Sequence, residues 1–145
     1  MQIQRIQSVY LFLTAVLMAV FTFLPVIGLI NDNGQESIGA IAMNSITYGS
    51  WLLLCLDVLI IVLAMITLFK YRNLKLQLKL CKILLLLIIT LLVCVGIITY
   101  MQKGGAIAAV QWGIALPIVS MVCVMLAHKG IKHDRKLLSD SERIR

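Results

Sequence analysis

Four stretches of this chain are long and apolar enough to make a soluble fold untenable. Val9 to Ile30, Ile83 to Met101 and Ala106 to Ala127 contain no charged side chain, and Tyr48 to Phe69 contains one, Asp57. The hydrocarbon core of a bilayer takes about 20 predominantly apolar residues per helix. Ordinary soluble domains are about a quarter charged, whereas this chain is 61% hydrophobic and 13% charged, with mean hydropathy +1.02. Four crossings use up most of the 145 residues. The expected architecture is therefore one all-α domain, an antiparallel bundle of four transmembrane helices with spans at about 9–30, 48–69, 83–101 and 106–127, followed by a tail at 128–145.

The basic residues set the threading. Twelve of the thirteen Lys and Arg fall in three short segments: Arg5; Lys70, Arg72, Lys75, Lys79 and Lys82; and Lys129, Lys132, Arg135, Lys136, Arg143 and Arg145. The other two connections hold Asp32 and Glu36 in one and Lys103 in the other. Cationic excess on alternate connections predicts a four-span membrane protein with both termini in the cytoplasm. The net charge of +7 then belongs to the membrane surface, where anionic lipid attracts each juxtamembrane Lys or Arg by about 1 kcal/mol. Nucleic acid is not the expected partner, because the aromatic-interleaved basic surface it usually needs is missing.

Local signals refine this layout. The first apolar run is too long for a signal-peptide core, and the triplet Ala40-Ile41-Ala42 lies far beyond it, so a retained helix is expected. Pro25 removes one amide donor and would free the carbonyl of Phe21, as spanning helices tolerate. Ala15 and Ala19 permit close helix approach. Asp32-Asn33-Gly34 suits a tight turn, so the first outer connection is either a short β-hairpin or a plain loop. Tyr48, Trp51 and Trp112 fit an outer aromatic belt. Lys75, Lys79 and Lys82 recur at i, i+4 and i+7 on a helix that starts near Asn73, with Leu74, Leu78 and Leu85 towards another face. Their charge opposes the dipole at that helix start, so something anionic outside the helix is expected to face them. In the fourth span Gly105, Ala109 and Gly113 make a small-residue stripe, and Pro117 predicts a kink in mid-membrane. Ile131, Leu137, Leu138 and Ile144 give the tail a partial apolar face for the membrane or a partner.

Candidate chemistry is sparse. Asp57 is the one carboxyl at membrane depth, where an aspartate costs on the order of 3 kcal/mol. Thr22, Thr90, Ser120, Cys94 and Cys123 thread to similar depth. No Lys or Arg lies within the core, so burial favours the neutral carboxyl. It is either a protonated hydrogen-bonding group between helices or a proton or cation site. Cys55, Cys94 and Cys123 lie in spans and Cys81 in the basic connection, none at CxxC spacing, and they read as small apolar residues. His128 and His133 do not share a helix face, so no metal is expected. No nucleophile elbow, zinc motif or phosphate-cradling loop occurs. Neither an enzyme nor a cofactor is expected.

Three stretches together resemble a known family. Ile3-Gln4-Arg5-Ile6-Gln7-Ser8-Val9-Tyr10-Leu11 opens the chain. Leu68-Phe69-Lys70-Tyr71-Arg72 and Leu76-Gln77-Leu78-Lys79-Leu80-Cys81 form the central turn. Leu126-Ala127-His128-Lys129-Gly130-Ile131-Lys132-His133-Asp134 leads to a terminus ending Ser141-Glu142-Arg143-Ile144-Arg145. In that order they resemble a four-span membrane family of Bacteroidetes, catalogued as domain of unknown function 4293. The resemblance implies a fold and a cellular setting but no activity.

All three stretches fall on the face expected to be cytoplasmic. The sequence thus points to an accessory or interaction subunit. Its expected contacts with anionic lipid or a partner are Arg72, Lys75, Lys79, Lys82, Lys129, Lys132, Arg135 and Lys136. The partner would be a membrane protein or a second copy of the chain. The rival reading is a small transporter or channel subunit using Asp57 and the Pro117 kink.

Overall fold

The computed structural model describes residues 2–31, 34–39, 48–70, 72–101, 106–110 and 112–144. Asp32, Asn33, the triplet at 40–42, Tyr71, Lys103, Gly105 and Arg145 lie outside the described residues. Four helices carry the fold: α1 (Gln2–Phe23), α2 (Tyr48–Phe69), α3 (Leu74–Met101) and α4 (Ala115–Arg143). Each is long and apolar enough to cross a membrane, and the chain is a multi-pass membrane protein. α1 packs on α2 and α4, and α3 packs on the same two helices, which closes a ring. Only 28–33% of each span is buried, so most of its apolar surface faces outward, where lipid solvates it.

Two of the expected spans are corrected. Residues 9–30 are not one helix, because α1 starts at Gln2, stops at Phe23, and gives way to strand β1 (Pro25–Asn31). The cause is Pro25, which disfavours helical geometry at the residue before it. The Leu24 amide donates to the Phe21 carbonyl at 3.2 Å, closing the last turn. The carbonyl that a continuing helix would have left free is therefore satisfied. Residues 106–127 are likewise divided. Ala106–Val110 is strand β3, Trp112–Ile114 a single 3-10 turn, and α4 begins at Ala115.

Pro117 is thus the third residue of α4 rather than a mid-membrane kink. In the first helical turn its missing amide has no intrahelical partner to lose. The small-residue stripe dissolves for the same reason, since Ala109 lies in β3 and Gly113 in the 3-10 turn.

The strands form a small sheet at one end of the bundle. β1 is central, paired antiparallel with β2 (Gly34–Gly39) on one side and β3 on the other, in the order β2-β1-β3. Asn31 stands opposite Gly34, so β1 and β2 make a hairpin. Ile27 pairs with Val110 and Leu29 with Ile107, with an irregularity between Gly28 and Leu29. An all-α description is therefore incomplete, because the links α1–α2 and α3–α4 are joined by this ladder.

The interior has two apolar clusters. The larger includes Met18, Phe21, Val26, Leu53, Ile60, Leu84, Ile88, Leu91 and Val124 and runs down the middle. The smaller lies at the opposite end from the sheet. Leu11 of α1, Leu78 and Cys81 of α3, and Ala127 and Ile131 of α4 meet there. Ile131 is fully buried in that cluster, so it is not part of an open apolar face on the tail. Leu137, Leu138 and Ile144 remain exposed.

Candidate functional site

The smaller cluster gathers the three stretches that opened, centred and closed the sequence. It is bounded by a buried polar contact absent from the sequence reading. Gln7 Nε2 donates to Asp134 Oδ2 at 2.6 Å, and both side chains are buried. Gly130 makes room for it. A Cβ at that position would stand 3.1 Å from Gln7 Cγ and 3.2 Å from its Nε2. A glycine inside a helix is unfavourable by about 1 kcal/mol relative to alanine, so its presence one turn before Asp134 was the available signal. This contact fixes the start of α1 against the end of α4.

With α1 and α4 fixed, α3 lays its basic stripe beside α4. Lys75, Lys79 and Lys82 of α3 and Lys132 and Arg135 of α4 line one groove of about 400 Å³, together with Leu78 and His128. Arg72 lines an adjoining groove with Lys75, Arg135, Ser139 and Glu142. Lys129 and Lys136 do not line this groove, but share a neighbouring one with Lys132, His133, Arg135 and Ser139 of α4. All eight predicted cations are exposed. The structure therefore brings five of them together in one groove, with Arg72 in an adjoining groove that shares Lys75 and Arg135, and Lys129 and Lys136 in another that shares Lys132 and Arg135. None of the five has an ion-pair partner among the described residues. The nearest buried carboxylate on α4, that of Asp134, is engaged by Gln7.

His128 is half-buried beside Lys82 and Lys132, and its Nε2 is buried with no hydrogen-bond partner. Burial first, and then the neighbouring ammonium groups of Lys82 and Lys132, oppose a positive charge on the ring. An anion entering the groove would meet one or more unengaged donors from each helix.

The second polar feature lies within the bundle. Asp57 is fully buried, against the last turn of α1. Its Oδ2 is 2.5 Å from Thr22 Oγ1, and that hydroxyl is also 3.2 Å from the Met18 carbonyl. One hydroxyl has one proton, so Thr22 cannot donate to both. A protonated Asp57 that donates to Thr22, while Thr22 donates to Met18, satisfies both contacts at once. Among the described residues no cation adjoins Asp57 to stabilise the alternative. Asp57 Oδ1 has no partner, which a neutral carbonyl oxygen tolerates far better than a carboxylate.

Of the polar groups threaded to similar depth, Thr22 is brought to Asp57. Ser120 instead donates to the Pro117 carbonyl at 2.8 Å and lies 3.3 Å from Met18 Sδ. Thr90 donates to Leu86 within its own helix. Cys55 is exposed, Cys94 half-buried, and Cys81 and Cys123 buried, all as free thiols. Among the described residues no three His, Cys, Asp or Glu side chains group as metal ligands.

Comparison with curated proteins and with solved structures gives no match. A family match covers residues 3–144, almost the whole chain. It includes the start of α1, the central turn and the end of α4, which the fold joins in one cluster. The chain belongs to the family described as Domain of unknown function (DUF4293).

Proposed function

We propose that this is an accessory or interaction subunit of the bacterial inner membrane, without catalytic activity, that works through its basic end at the cytoplasmic face. The observation that carries this reading is the groove between α3 and α4, where five cations from two helices stand without counter-ions among the described residues. Like charges gathered this way repel each other unless an anionic surface or partner faces them. The charge alternation along the chain supports the same orientation, with both termini cytoplasmic.

The transport alternative is disfavoured by the surroundings of Asp57. That group is fully buried, and its contact with Thr22, whose hydroxyl also reaches the Met18 carbonyl, suits a fixed neutral acid. A single acidic group at membrane depth has no second member for a relay.

Reporter fusions test the orientation. Those after Lys75 and Arg145 are expected to read cytoplasmic, and those after Asn33 and Gly104 periplasmic. A periplasmic C-terminus overturns the proposal. The interaction itself is tested by mild-detergent purification of the wild type and of a Lys129→Gln/Lys132→Gln/Arg135→Gln/Lys136→Gln variant. A membrane-protein partner or second copy held by the wild type should be lost from the variant, and equal recovery would argue against docking at this end.

A further inference from the structure

The shape of the cationic groove says more about its ligand than its charge alone. Its cations form a column, not a ring. Lys75 to Lys82 covers seven residues of α3, about 10 Å along the helix axis. α4 runs antiparallel beside it. Lys82 and Lys132 stand next to His128, whereas Lys75 and Arg135 also line the adjoining groove with Arg72 and Ser139. The groove thus has an inner tier at Lys82, Lys132 and His128 and an outer tier at Lys75 and Arg135, with Lys79 between them. Because α3 and α4 are spanning helices, this column stands along the membrane normal.

The inner tier adjoins an apolar track. Leu86, Ile89, Val93 and Ile97 follow Lys82 along α3 towards the sheet end, and all are exposed, Leu86 at 63%. They occupy positions i+4, i+7, i+11 and i+15 from Lys82, so they continue its side of the helix. A ligand that fits both parts has an apolar chain lying along this track and more than one phosphate stacked outward from its end.

We infer that the α3–α4 groove is a site for a lipid diphosphate, a long apolar chain ending in two phosphates in series. An ordinary phosphodiester headgroup carries a single negative charge and spreads in the membrane plane, so it would leave most of the column unmatched. A phosphomonoester already carries about −1.5 to −2 at neutral pH, and a second phosphate adds charge in the outward direction, where Lys75 and Arg135 stand. The unpartnered Nε2 of His128 lies at the depth of the inner phosphate. Glu142 is the acidic group on the adjoining groove, and it lies beyond the outer tier, where it does not face the inner phosphate.

This inference rests on the basic end being the working surface, but it does not need a protein partner. The test uses the full chain in phosphatidylcholine nanodiscs, with binding read by native mass spectrometry and by ³¹P NMR of the ligand. Four probes are compared: geranylgeranyl diphosphate, geranylgeranyl monophosphate, inorganic pyrophosphate and phosphatidylglycerol. The diphosphate lipid is expected to bind one per chain and at least about tenfold tighter than the monophosphate, since the outer tier adds two cations near the surface. Lys75→Gln/Lys79→Gln/Lys82→Gln should weaken it by about a hundredfold, with thermal melting unchanged because all three lysines are exposed.

Equal affinity for inorganic pyrophosphate would overturn the lipid assignment. Equal affinity for the monophosphate or phosphatidylglycerol would overturn the two-phosphate assignment, and retention of binding by the triple variant would remove the site. Fusions that place this end in the periplasm would sink the functional proposal while leaving the binding result standing.

Discussion

Thr22→Val is expected to destabilise the bundle by about 1–3 kcal/mol, and adding Asp57→Leu to restore most of that loss. The asymmetry follows from the contact between these two residues. Removing only the hydroxyl leaves a fully buried carboxyl, whose Oδ1 already lacks a partner, with Oδ2 orphaned as well. Removing both replaces a polar pair by apolar groups among apolar neighbours, a change that can be neutral or favourable. Asp57→Asn alone should be mild, because its amide can donate to Thr22 Oγ1 as the protonated acid does. Asp57→Lys should be the most severe, since it places an unpaired cation where insertion scales charge about 3 kcal/mol. Thermal melting in detergent, read for the single and double variants, decides the matter. If Asp57→Asn melted as low as Thr22→Val, the neutral-acid assignment would be wrong.

Gln7→Leu and Gly130→Leu should each release the end of α4, by different routes. The first leaves the buried Asp134 carboxylate without its donor, at a loss of about 1.5–3 kcal/mol for a charged hydrogen bond. The second drives a side chain into space held by Gln7, and overpacking of this kind costs typically about 1–3 kcal/mol. Both should appear as faster trypsin cleavage at Lys129, Lys132, Arg135 and Lys136, while the spans stay protected. Asp134→Asn keeps an acceptor for Gln7 Nε2 and should be cleaved at close to the wild-type rate. Slow cleavage of Gly130→Leu would show that the helices adjust without separating.

Hydropathy made α2 legible to the residue, because Tyr48–Phe69 is bounded by polar connections on both sides. It failed where an apolar helix runs into an apolar strand. Pro25-Val26-Ile27-Gly28-Leu29-Ile30 and Ala106-Ile107-Ala108-Ala109-Val110 carry no charge, so a transfer scale cannot separate them from the spans they adjoin. Pro25 was a breaker signal, read instead as a proline tolerated within a span because the apolar run continued past it.

The candidate site divides in a similar way. Spacing within one helix revealed the stripe of Lys75, Lys79 and Lys82. That Lys132 and Arg135 stand across from it depends on packing between segments some fifty residues apart, which no local period encodes. Gln7 and Asp134 were visible only as polar residues near helix ends, and what matters about them is that they meet.

The strand ladder has a consequence for biogenesis. β1 lies in the link between α1 and α2, and its partner β3 in the link between α3 and α4. As the chain leaves the ribosome, the first helical pair can insert, and in the proposed orientation carry the β1–β2 hairpin across the membrane, before β3 has been made. Until then one edge of β1 is open, with unpaired amides and carbonyls of the sort that recruits other strands. Closing that edge requires the second pair to cross and its link to zip into register, Ile27 against Val110 and Leu29 against Ile107. In that orientation, a chain truncated after α2 would display this open edge on the far side of the membrane, where surveillance proteases could distinguish a half-built molecule from a finished one.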